Sequence, residues 1–334
     1  MLVARGVSVA VLEAQPAPSR KFGEVLAPES APIVAKLGLD RALASSPHVA
    51  RRCAGVVRSW EGDGMIARRL YRGGAGWIVD RSHFEAMLAC GAERCGARWF
   101  AAHRVREVRR TSGGWRISGT SAHGDFAVRC RFVADATGRA AVVARRLGAR
   151  LCREARLVAM TARLTATRQR LPSRWLTIEA ALDGWWYAIG LPDGSVHLAL
   201  HARPRIRRLP RTSTEFVASL AQTRLVGPRV ACDAADALRS GNIALELIDA
   251  TPGRLTCAAG DGWIAVGDAA ASFDPLSSQG LPNALSTGFY AAHAVYESLA
   301  GNPEGCAAFA KAVALTHAAT SFGLRAEYAR AELT

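Results

Sequence analysis

Residues 262–283 read Gly-Trp-Ile-Ala-Val-Gly-Asp-Ala-Ala-Ala-Ser-Phe-Asp-Pro-Leu-Ser-Ser-Gln-Gly-Leu-Pro-Asn, and this stretch decides the fold. The apolar run at 263–266 predicts a short buried strand that leads directly into Gly267 and Asp268. A polar loop follows. Pro282 suits the start of a helix predicted at 283–299, because its missing N–H would have no partner there.

A strand, a Gly-Asp corner and a helix start form an arrangement that can hold a polar cofactor. The carboxylate of Asp268 can accept a hydrogen bond from a ribitol or ribose hydroxyl group. The free N–H groups and the positive dipole end of the helix attract an anionic group. An ordinary strand, turn and helix with a chance Gly-Asp explains this corner equally well.

The loop Asp-Pro-Leu-Ser-x-x-Gly at 274–280 makes the comparison specific. It resembles the second FAD-binding motif of FAD-dependent monooxygenases with the p-hydroxybenzoate hydroxylase fold, in the branch of flavin-dependent halogenases and quinone-cofactor maturation monooxygenases. The resemblance covers nearly the whole chain from its second strand onward. It implies that Gly267 and Asp268 contact the ribityl chain or pyrophosphate of FAD. It also implies a cofactor role for the following loop and helix start, at Pro275, Ser278, Gln279, Gly280 and Leu281.

The resemblance predicts an α/β fold with a Rossmann-like FAD-binding domain, truncated at its N-terminus, and an inserted antiparallel-sheet substrate domain. The expected FAD-binding domain is discontinuous, at 1–50, 79–156 and 255–334, and the substrate domain occupies 51–78 and 157–254. Residues 53–77 and 157–255 alternate between apolar and polar, which predicts antiparallel strands. Asp193-Gly194 predicts a hairpin between two of them.

The N-terminal residues predict the second half of a dinucleotide-binding βαβ unit. Residues 1–5 suit the last turn of a helix, Gly6 its end, and 6–13 a buried strand that ends in Glu13. An acid at this position binds the adenosine ribose, and the glycine-rich turn of such a unit lies roughly 20 residues earlier. Those positions would precede Met1. We therefore expect one of three cases: the start was assigned at an internal methionine, the sequence is a fragment, or the protein has lost this half of the site. In each case the missing strand would leave a gap in the parallel sheet.

Two basic residues are candidates for the cofactor phosphates. Lys21 follows Arg20 in a loop whose Gly23-Glu24 resembles a flavin-side motif of the halogenase-like branch. A basic loop before a helix at 29–37 is the alternative. Arg81 lies at the start of a helix predicted to run to residue 95, where the helix dipole disfavours a cation. A bound anion would explain this position, and the resemblance implies the FAD phosphates.

Three further residues are implied to border the nucleotide. Val105, in a strand predicted at 99–108, would lie by the adenine through its backbone. Asp135 and Gly138 belong to an Asp-Ala-Thr-Gly turn that directly follows an apolar strand. In the family such a turn closes the nucleotide site.

The resemblance also implies a reaction. Reduced FAD would react with dioxygen to give a peroxyflavin that hydroxylates an electron-rich aromatic or peptidyl substrate. NAD(P)H, or reduced flavin supplied by a flavin reductase, would provide the electrons. The positive end of the helix near Pro282 would favour the anionic reduced flavin. We assign no catalytic residue from the sequence.

Other functions stay open. For halogenation, residues 184–189 partly echo the halogenase pattern Trp-x-Trp-x-Ile-Pro, but Tyr187 replaces the second Trp and Gly190 the Pro. None of the three lysines can be placed as the halogenase catalytic lysine. A flavin reductase and a non-catalytic fragment or basic interaction protein are further alternatives. Trp185, Trp186 and Tyr187 fit a substrate pocket and a sheet core equally well.

The composition indicates which kinds of partner and ligand the protein can be expected to bind. The net charge is +15, but only Lys21, Lys36 and Lys311 are lysines among 43 basic residues, so 40 are arginine. The arginines are scattered in pairs, and the one denser run, at 203–211, contains no aromatic residue. We therefore expect a solvated basic face rather than a nucleic-acid site. The eight cysteines form no Cys-x-x-Cys pair, which predicts reduced core thiols, and no metal site is expected. No membrane span or signal peptide is predicted, which indicates a cytoplasmic protein.

Overall fold

The structure of the chain is a computed structural model that describes residues 1–18, 21–60, 66–71, 74–165, 171–172, 174–181, 184–203 and 209–331. Arg20 lies outside these described residues. The strands, in chain order, are β1 Ala10–Leu12, β2 Val25–Leu26, β3 Ala50–Cys53, β4 Gly55–Ser59, β5 Ile66–Leu70, β6 Gly76–Val79, β7 Arg98–Phe100, β8 Arg104–Thr111, β9 Gly114–Ser121, β10 Gly124–Cys130, β11 Val133–Asp135, β12 Leu151–Arg153, β13 Val158–Leu164, β14 Trp175–Ala181, β15 Gly184–Gly190, β16 Val196–Ala202, β17 Leu245–Asp249, β18 Gly253–Leu255, β19 Ala259–Gly260, β20 Trp263–Ala265 and β21 Ala271–Ser272. The helices are α1 Ala31–Lys36, α2 Leu39–Ser45, α3 Arg81–Arg94, α4 Val142–Arg146, α5 Ser213–Ser219, α6 Gly227–Arg239, α7 Gly280–Leu299 and α8 Glu304–Arg330.

The large sheet in the described part of the chain runs in the order β17-β13-β16-β15-β14-β4-β5, so β17 and β5 form its two ends. The strands β13, β16, β15 and β14 pair antiparallel, as the alternating sequence predicts. The predicted hairpin is present. Gly194, with φ of +85°, donates its N–H to the carbonyl of Leu191 at 3.0 Å.

Both faces of this sheet are covered, so its central strands are buried almost throughout. On one face Trp186 packs against Phe216 of α5, with ring centroids 5.1 Å apart. Successive side chains of a strand point to opposite faces. Trp185 and Tyr187 therefore lie on the other face, where they pack with Trp60 and with Tyr328 of α8.

The pairing of residues 50–79 differs from the expected set of antiparallel strands. The strand β4 pairs with β14 in parallel, and the β4–β5 hairpin thereby extends the large sheet. The strand β6 instead pairs with β3 on one side and with β2 on the other, in a separate sheet. Local alternation predicted the strands but carried no information about these distant partners.

Outside the large sheet, the described parallel strands form two separate pairs, β1 with β7 and β11 with β20, and no described strand joins them. The expected gap between them stays a prediction. The expectation of a buried strand over 6–13 is wrong: only β1 is a strand, and Ala10 within it is exposed. Its one described partner is β7, which covers one edge only.

Two predicted elements have different boundaries, and one helix was not predicted. The helix expected at 283–299 begins earlier, at Gly280, so Pro282 is its third residue. The strand expected at 99–108 is two strands, β7 and β8. The sequence did not predict α6. Buried Glu179 accepts hydrogen bonds from the N–H groups of Leu225 and Val226 at 3.0 and 2.8 Å, just before this helix begins.

Candidate functional site

The Gly-Asp corner lies where the parallel strand β20 ends. Gly267 opens a 3₁₀ turn, Gly267–Ala269, with φ of +56°, a conformation that glycine adopts without strain. Its N–H donates to the hydroxyl of Thr287 in α7 at 2.8 Å. This contact fixes the corner to the helix and leaves the side chain of Asp268 35% exposed.

Two arginine residues face the carboxylate of Asp268. The Nε of Arg139 lies 3.6 Å from its Oδ2, while Nη1 of the same arginine donates to the carbonyl of Thr251 at 2.7 Å. Burial raises the pKa of Asp268, and the positive charges of Arg139 and Arg81 partly oppose that rise. The corner thus combines an accessible acceptor with two nearby cations.

The loop after the corner is ordered by its own hydrogen bonds. Asp274 accepts from the N–H of Leu276 at 2.9 Å and caps a 3₁₀ turn, Pro275–Ser277. Ser278 then adopts a left-handed conformation with φ of +54°. Such a conformation is uncommon for a residue other than glycine. It turns the chain into α7.

The N-terminus of α7 presents backbone donors at this point. Asn283 donates to the carbonyl of Gln279 at 2.8 Å, so the N–H groups of Gly280 and Leu281 precede the first turn's bonds. The side chain of Leu281 is 8% exposed and packs in the core around α1. Only its backbone can therefore face a ligand. Gly280 is exposed.

Lys21 and Arg81, both predicted from the sequence, share one partner. The Nζ of Lys21 and the Nη2 of Arg81 each lie 2.6 Å from a carboxylate oxygen of Glu85. Nη1 of Arg81 donates to the carbonyl of Phe22 at 2.7 Å, which holds the loop against α3. The Nε of Arg81 is buried and has no hydrogen-bond partner among the described residues.

The carboxylate of Asp135 is hydrogen-bonded within its own turn and to α4. It is fully buried, with Oδ1 accepting from the N–H and hydroxyl of Thr137 at 2.9 and 2.7 Å, and Oδ2 from the N–H of Ala144 at 2.7 Å. This carboxylate shapes the turn and offers no surface to a ligand. Gly138 is half-buried, with φ of +65°, and its 3₁₀ turn packs beside the turn that carries Asp268.

Glu13 and Val105 lie in the region of β1, β7 and β8. Glu13 donates its N–H to the carbonyl of Phe100 at 2.9 Å, and its Oε1 accepts from the N–H of Gln15 at 2.8 Å. The side chain of Val105 packs toward the core that contains β20. No described contact joins these two residues to Asp268. Their roles toward FAD, like those of the other predicted site residues, stay predictions.

A cavity of about 130 Å³ lies beside Arg81. It is bordered by the loop of Lys21 and Phe22, by the start of α3 and by the strands β13, β16 and β17. Its side chains are of mixed character: Lys21, Phe22, Glu24, Asp80, Arg81, Ser82, Thr161, Ala162, Arg163, Leu191, His197, Asn242, Ala244 and Glu246. Arg81 borders the cavity, and its positive charge also acts on Asp268 of the Gly-Asp corner.

A buried acid–base cluster lies at this cavity. Oε1 of Glu24 is 2.7 Å from Nδ1 of His197, although off the line of a hydrogen bond, and the hydroxyl of Tyr187 donates to Oε2 at 3.0 Å. Glu24 and His197 are each 2% exposed. Burial alone would raise the pKa of Glu24. The facing His197 and the Tyr187 hydroxyl outweigh burial, so this pKa lies below its ordinary value.

The sequence did not identify this cluster. Gly23-Glu24 resembles a motif of the family, but the sequence alone assigns no role to Glu24 or to His197. The pairing depends on the fold, because β15 and β16 bring Tyr187 and His197 to a loop more than 160 residues earlier. The only signals of this cluster in the sequence are the glutamate of the Gly23-Glu24 motif and a histidine within an apolar strand.

Ion pairs hold together the opposite wall of the cavity. Nη2 of Arg163 lies 3.1 Å from Asp80 and 2.6 Å from Asp193. Asp80 also accepts from the N–H of His83 at 3.1 Å and so caps α3. Burial raises the pKa of Asp80, but the hydrogen bonds from Ser82 and its neighbours outweigh it and lower the pKa overall.

Metal-binding and redox features are few in the described residues. No group of three or more His, Cys, Asp or Glu side chains in that part could hold a metal ion. The cysteines are free thiols, but only Cys53 and Cys306 are buried, so the expectation that all eight lie in the core is wrong.

None of the described helices is both long enough and apolar enough to cross a membrane.

The fold is shared with flavin-dependent enzymes of known structure. The flavin-dependent brominase Bmp2 matches with a TM-score of 0.76 at 20% identity, over 92% of this chain and 78% of that one. The peptidyl tryptophan dihydroxylase QhpG, essential for tryptophylquinone cofactor biogenesis, matches with a TM-score of 0.71 at 22% identity, over 98% and 71%. The chain therefore has the α/β fold of FAD-dependent halogenases and hydroxylases, as the sequence predicts.

Sequence comparison gives the same branch. The FAD-dependent oxidoreductase LodB of Marinomonas mediterranea is 25% identical over 225 residues, 66% of this chain and 59% of LodB. The flavin-dependent halogenase armH4 of Armillaria mellea is 26% identical over 336 residues, 90% of this chain and 62% of armH4. The chain thus spans about three fifths of the length of these relatives. No family model matches it. The predicted resemblance to the halogenase and maturation branch is confirmed.

Proposed function

We propose that this chain binds FAD and belongs to a monooxygenase that hydroxylates an electron-rich aromatic substrate, either a small molecule or a peptidyl side chain. The likeness to FAD-dependent relatives supports the cofactor. Asp268 offers an accessible carboxylate for a cofactor hydroxyl group, and the α7 N-terminus offers backbone donors. The buried Nε of Arg81, which has no described hydrogen-bond partner, fits an additional anionic neighbour.

The observation that carries the hydroxylase proposal is the cluster of Glu24, His197 and Tyr187 at the cavity. When bound, FAD supplies the activation of dioxygen. The chain must then bind the aromatic ring, exclude water and accept the proton that an electron-rich ring such as a phenol releases. Glu24 and His197 are buried, adjacent and at the cavity, so together they can hold that proton.

Each wall of the cavity has its own role in this proposal. Phe22, whose ring centroid lies 4.4 Å from that of His197, and Leu191 supply apolar surface for a ring. Arg81 borders the cavity and its charge acts on Asp268, so in this proposal a substrate in the cavity lies next to the cofactor. We propose NAD(P)H, or reduced flavin delivered by a reductase, as the source of electrons.

Oxygen consumption with FAD, a reductant and a panel of phenols and indoles tests this function. Glu24→Gln keeps the shape of the side chain and removes its charge. We expect kcat to fall by about 10²-fold or more, as for loss of an acid–base group, with an altered pH profile. Glu93→Gln, an exposed acid on α3, serves as the control. Unchanged turnover in Glu24→Gln would contradict the role of the cluster.

A halogenase is the second candidate, and one observation favours it. Lys21 borders the same cavity as Glu24, so one of the three lysines lies beside the proposed substrate site. Its Nζ is already paired with Glu85 at 2.6 Å, which ties it to α3. Product analysis with chloride or bromide present separates the two candidates. A halogenated ring whose formation requires Lys21 would replace hydroxylation as the proposed reaction.

A further inference from the structure

A buried hydrogen-bond chain connects the large sheet to the loop before α7. The indole Nε1 of Trp185 in β15 donates to the hydroxyl of Tyr328 in α8 at 3.1 Å. That hydroxyl in turn donates to Oδ2 of Asp274 at 2.9 Å. Trp185, Tyr328 and Asp274 are 1%, 5% and 8% exposed, so water has little access to these bonds.

The chain ends on the backbone of the loop that the sequence assigned to the flavin. The other oxygen of Asp274, Oδ1, accepts from the N–H of Leu276 at 2.9 Å. The carbonyl of Asp274 accepts from the N–H of Ser277 at 3.0 Å. The carboxylate of Asp274 therefore sets the turn that precedes the left-handed Ser278 and the first residues of α7.

We propose that Tyr328 is a positioning residue. Its hydroxyl group ties the large sheet to the 274–280 loop and so fixes the position of that loop relative to the flavin. The inference rests on the proposed FAD-binding function and adds to it a residue from the far end of the chain, which neither the motifs nor the resemblance singles out.

The hydroxyl group, rather than the ring, carries this role. The ring of Tyr328 packs among apolar and aromatic side chains, including Trp60 and Trp185, and a phenylalanine ring would fill the same space. Removing the hydroxyl would leave the indole N–H of Trp185 and an oxygen of Asp274 buried without this partner. Such groups are expensive to leave unpaired. The loop would then relax away from the sheet.

The test compares Tyr328→Phe with a control variant at Trp60, whose side chain bonds to the same turn of α8. Trp60→Phe removes a hydrogen bond from the indole of Trp60 to the carbonyl of Glu327, at 2.7 Å, but leaves the link to Asp274 intact. Both variants loosen the end of α8, so their melting temperatures report general packing. Fluorescence titration with FAD gives the Kd, and the visible spectrum of the bound flavin reports the loop around the ring.

We expect Tyr328→Phe to raise the FAD Kd about tenfold, the scale of one lost buried hydrogen bond to a charged group, and to shift the flavin spectrum. Trp60→Phe should leave both unchanged. In a protein that already carries Asp274→Asn, adding Tyr328→Phe should raise the Kd much less than it does in the wild type. The reason is that the two residues act through the same hydrogen bond. Equal changes in Tyr328→Phe and Trp60→Phe, or fully additive changes with Asp274→Asn, would overturn the proposal.

Hydrogen exchange of the protein without FAD separates this inference from the proposed function. If Tyr328 holds the loop, Tyr328→Phe speeds exchange at 274–280 more than Trp60→Phe does. If the wild-type protein binds no FAD, the proposed function fails while this exchange result still decides whether Tyr328 positions the loop. Equal exchange in the two variants counts against it.

Discussion

The imidazole ring of His201 lies flat on the indole ring of Trp185, with ring centroids 3.8 Å apart and 7° between the planes. His201 is 5% exposed, and its burial, with a smaller contribution from the nearby His197, lowers its pKa from 6.5 to about 3. The histidine is therefore neutral and serves as an aromatic core residue at neutral pH.

This stack makes folding stability depend on pH. The unfolded chain takes up a proton at His201 near pH 6.5, whereas the folded chain does so only near pH 3, so stability is lost as pH falls through that window. At pH 4.5 the loss from this residue is about 3 kcal/mol. Urea unfolding at pH 7.5 and 4.5 should show a smaller pH effect in His201→Phe than in the wild type. His123→Phe, at an exposed turn, should behave as the wild type.

Asp268→Ala should weaken FAD binding without a matching loss of stability. A charged hydrogen bond to a cofactor hydroxyl contributes about 1.5–3 kcal/mol, so the Kd should rise roughly 10- to 100-fold. Burial raises the pKa of this carboxyl, so its removal relieves an unfavourable charge. Fluorescence titration and thermal melting measure the two effects, with exposed Asp125→Ala as control. Equal affinity in Asp268→Ala and Asp125→Ala would contradict the proposed contact.

Asp135→Asn should destabilise the fold even though it changes few atoms. The carboxylate accepts hydrogen bonds from three donors in its own turn and in α4. An amide must turn its NH₂ group toward at least one of these donors, which we expect to cost about 3 kcal/mol. Urea denaturation measures it, with Asp125→Asn as the control. A loss below about 1 kcal/mol would show that the turn tolerates the amide.

Two glycine residues of the large sheet should respond differently to alanine. A Cβ at Gly184 would lie 1.9 Å from the carbonyl oxygen of His201, with φ of +139°, so the strands must separate. Gly194 in the hairpin has φ of +85° and nothing within 4 Å of the new atom. We expect Gly184→Ala to abolish soluble protein and Gly194→Ala to cost about 1–2 kcal/mol. Soluble yield and thermal melting distinguish them.

Short-range patterns predicted much of this fold. Strand, corner, loop and helix at 262–299 follow from apolar runs and turn residues that act over a few positions. The start of α3 next to Arg81 was also predicted, because it depends on neighbouring residues such as the capping Asp80. The start of α7 was misplaced by three residues because Pro282 fits any position in the first turn.

Long-range relationships could not be predicted in the same way. The parallel pairing of β4 with β14 joins strands more than 110 residues apart, and nothing in either strand specifies the other. The cluster of Glu24, His197 and Tyr187 and the link through Tyr328 have the same character. Asp135 shows the converse. Its position after a strand suggested a ligand, but its oxygen atoms are used by the turn that it terminates.

The outer strand β5 has a practical consequence for handling the protein. Ile66 and Leu70 on this edge are 51% and 72% exposed, so the strand offers both unpaired backbone groups and apolar side chains to another copy. Arg68 and Arg69 lie between them and repel a like-charged neighbour. Salt screens that repulsion over about 8 Å at physiological ionic strength. Aggregation during purification should therefore increase as salt is added, the reverse of what is usual for a basic protein that precipitates with nucleic acid.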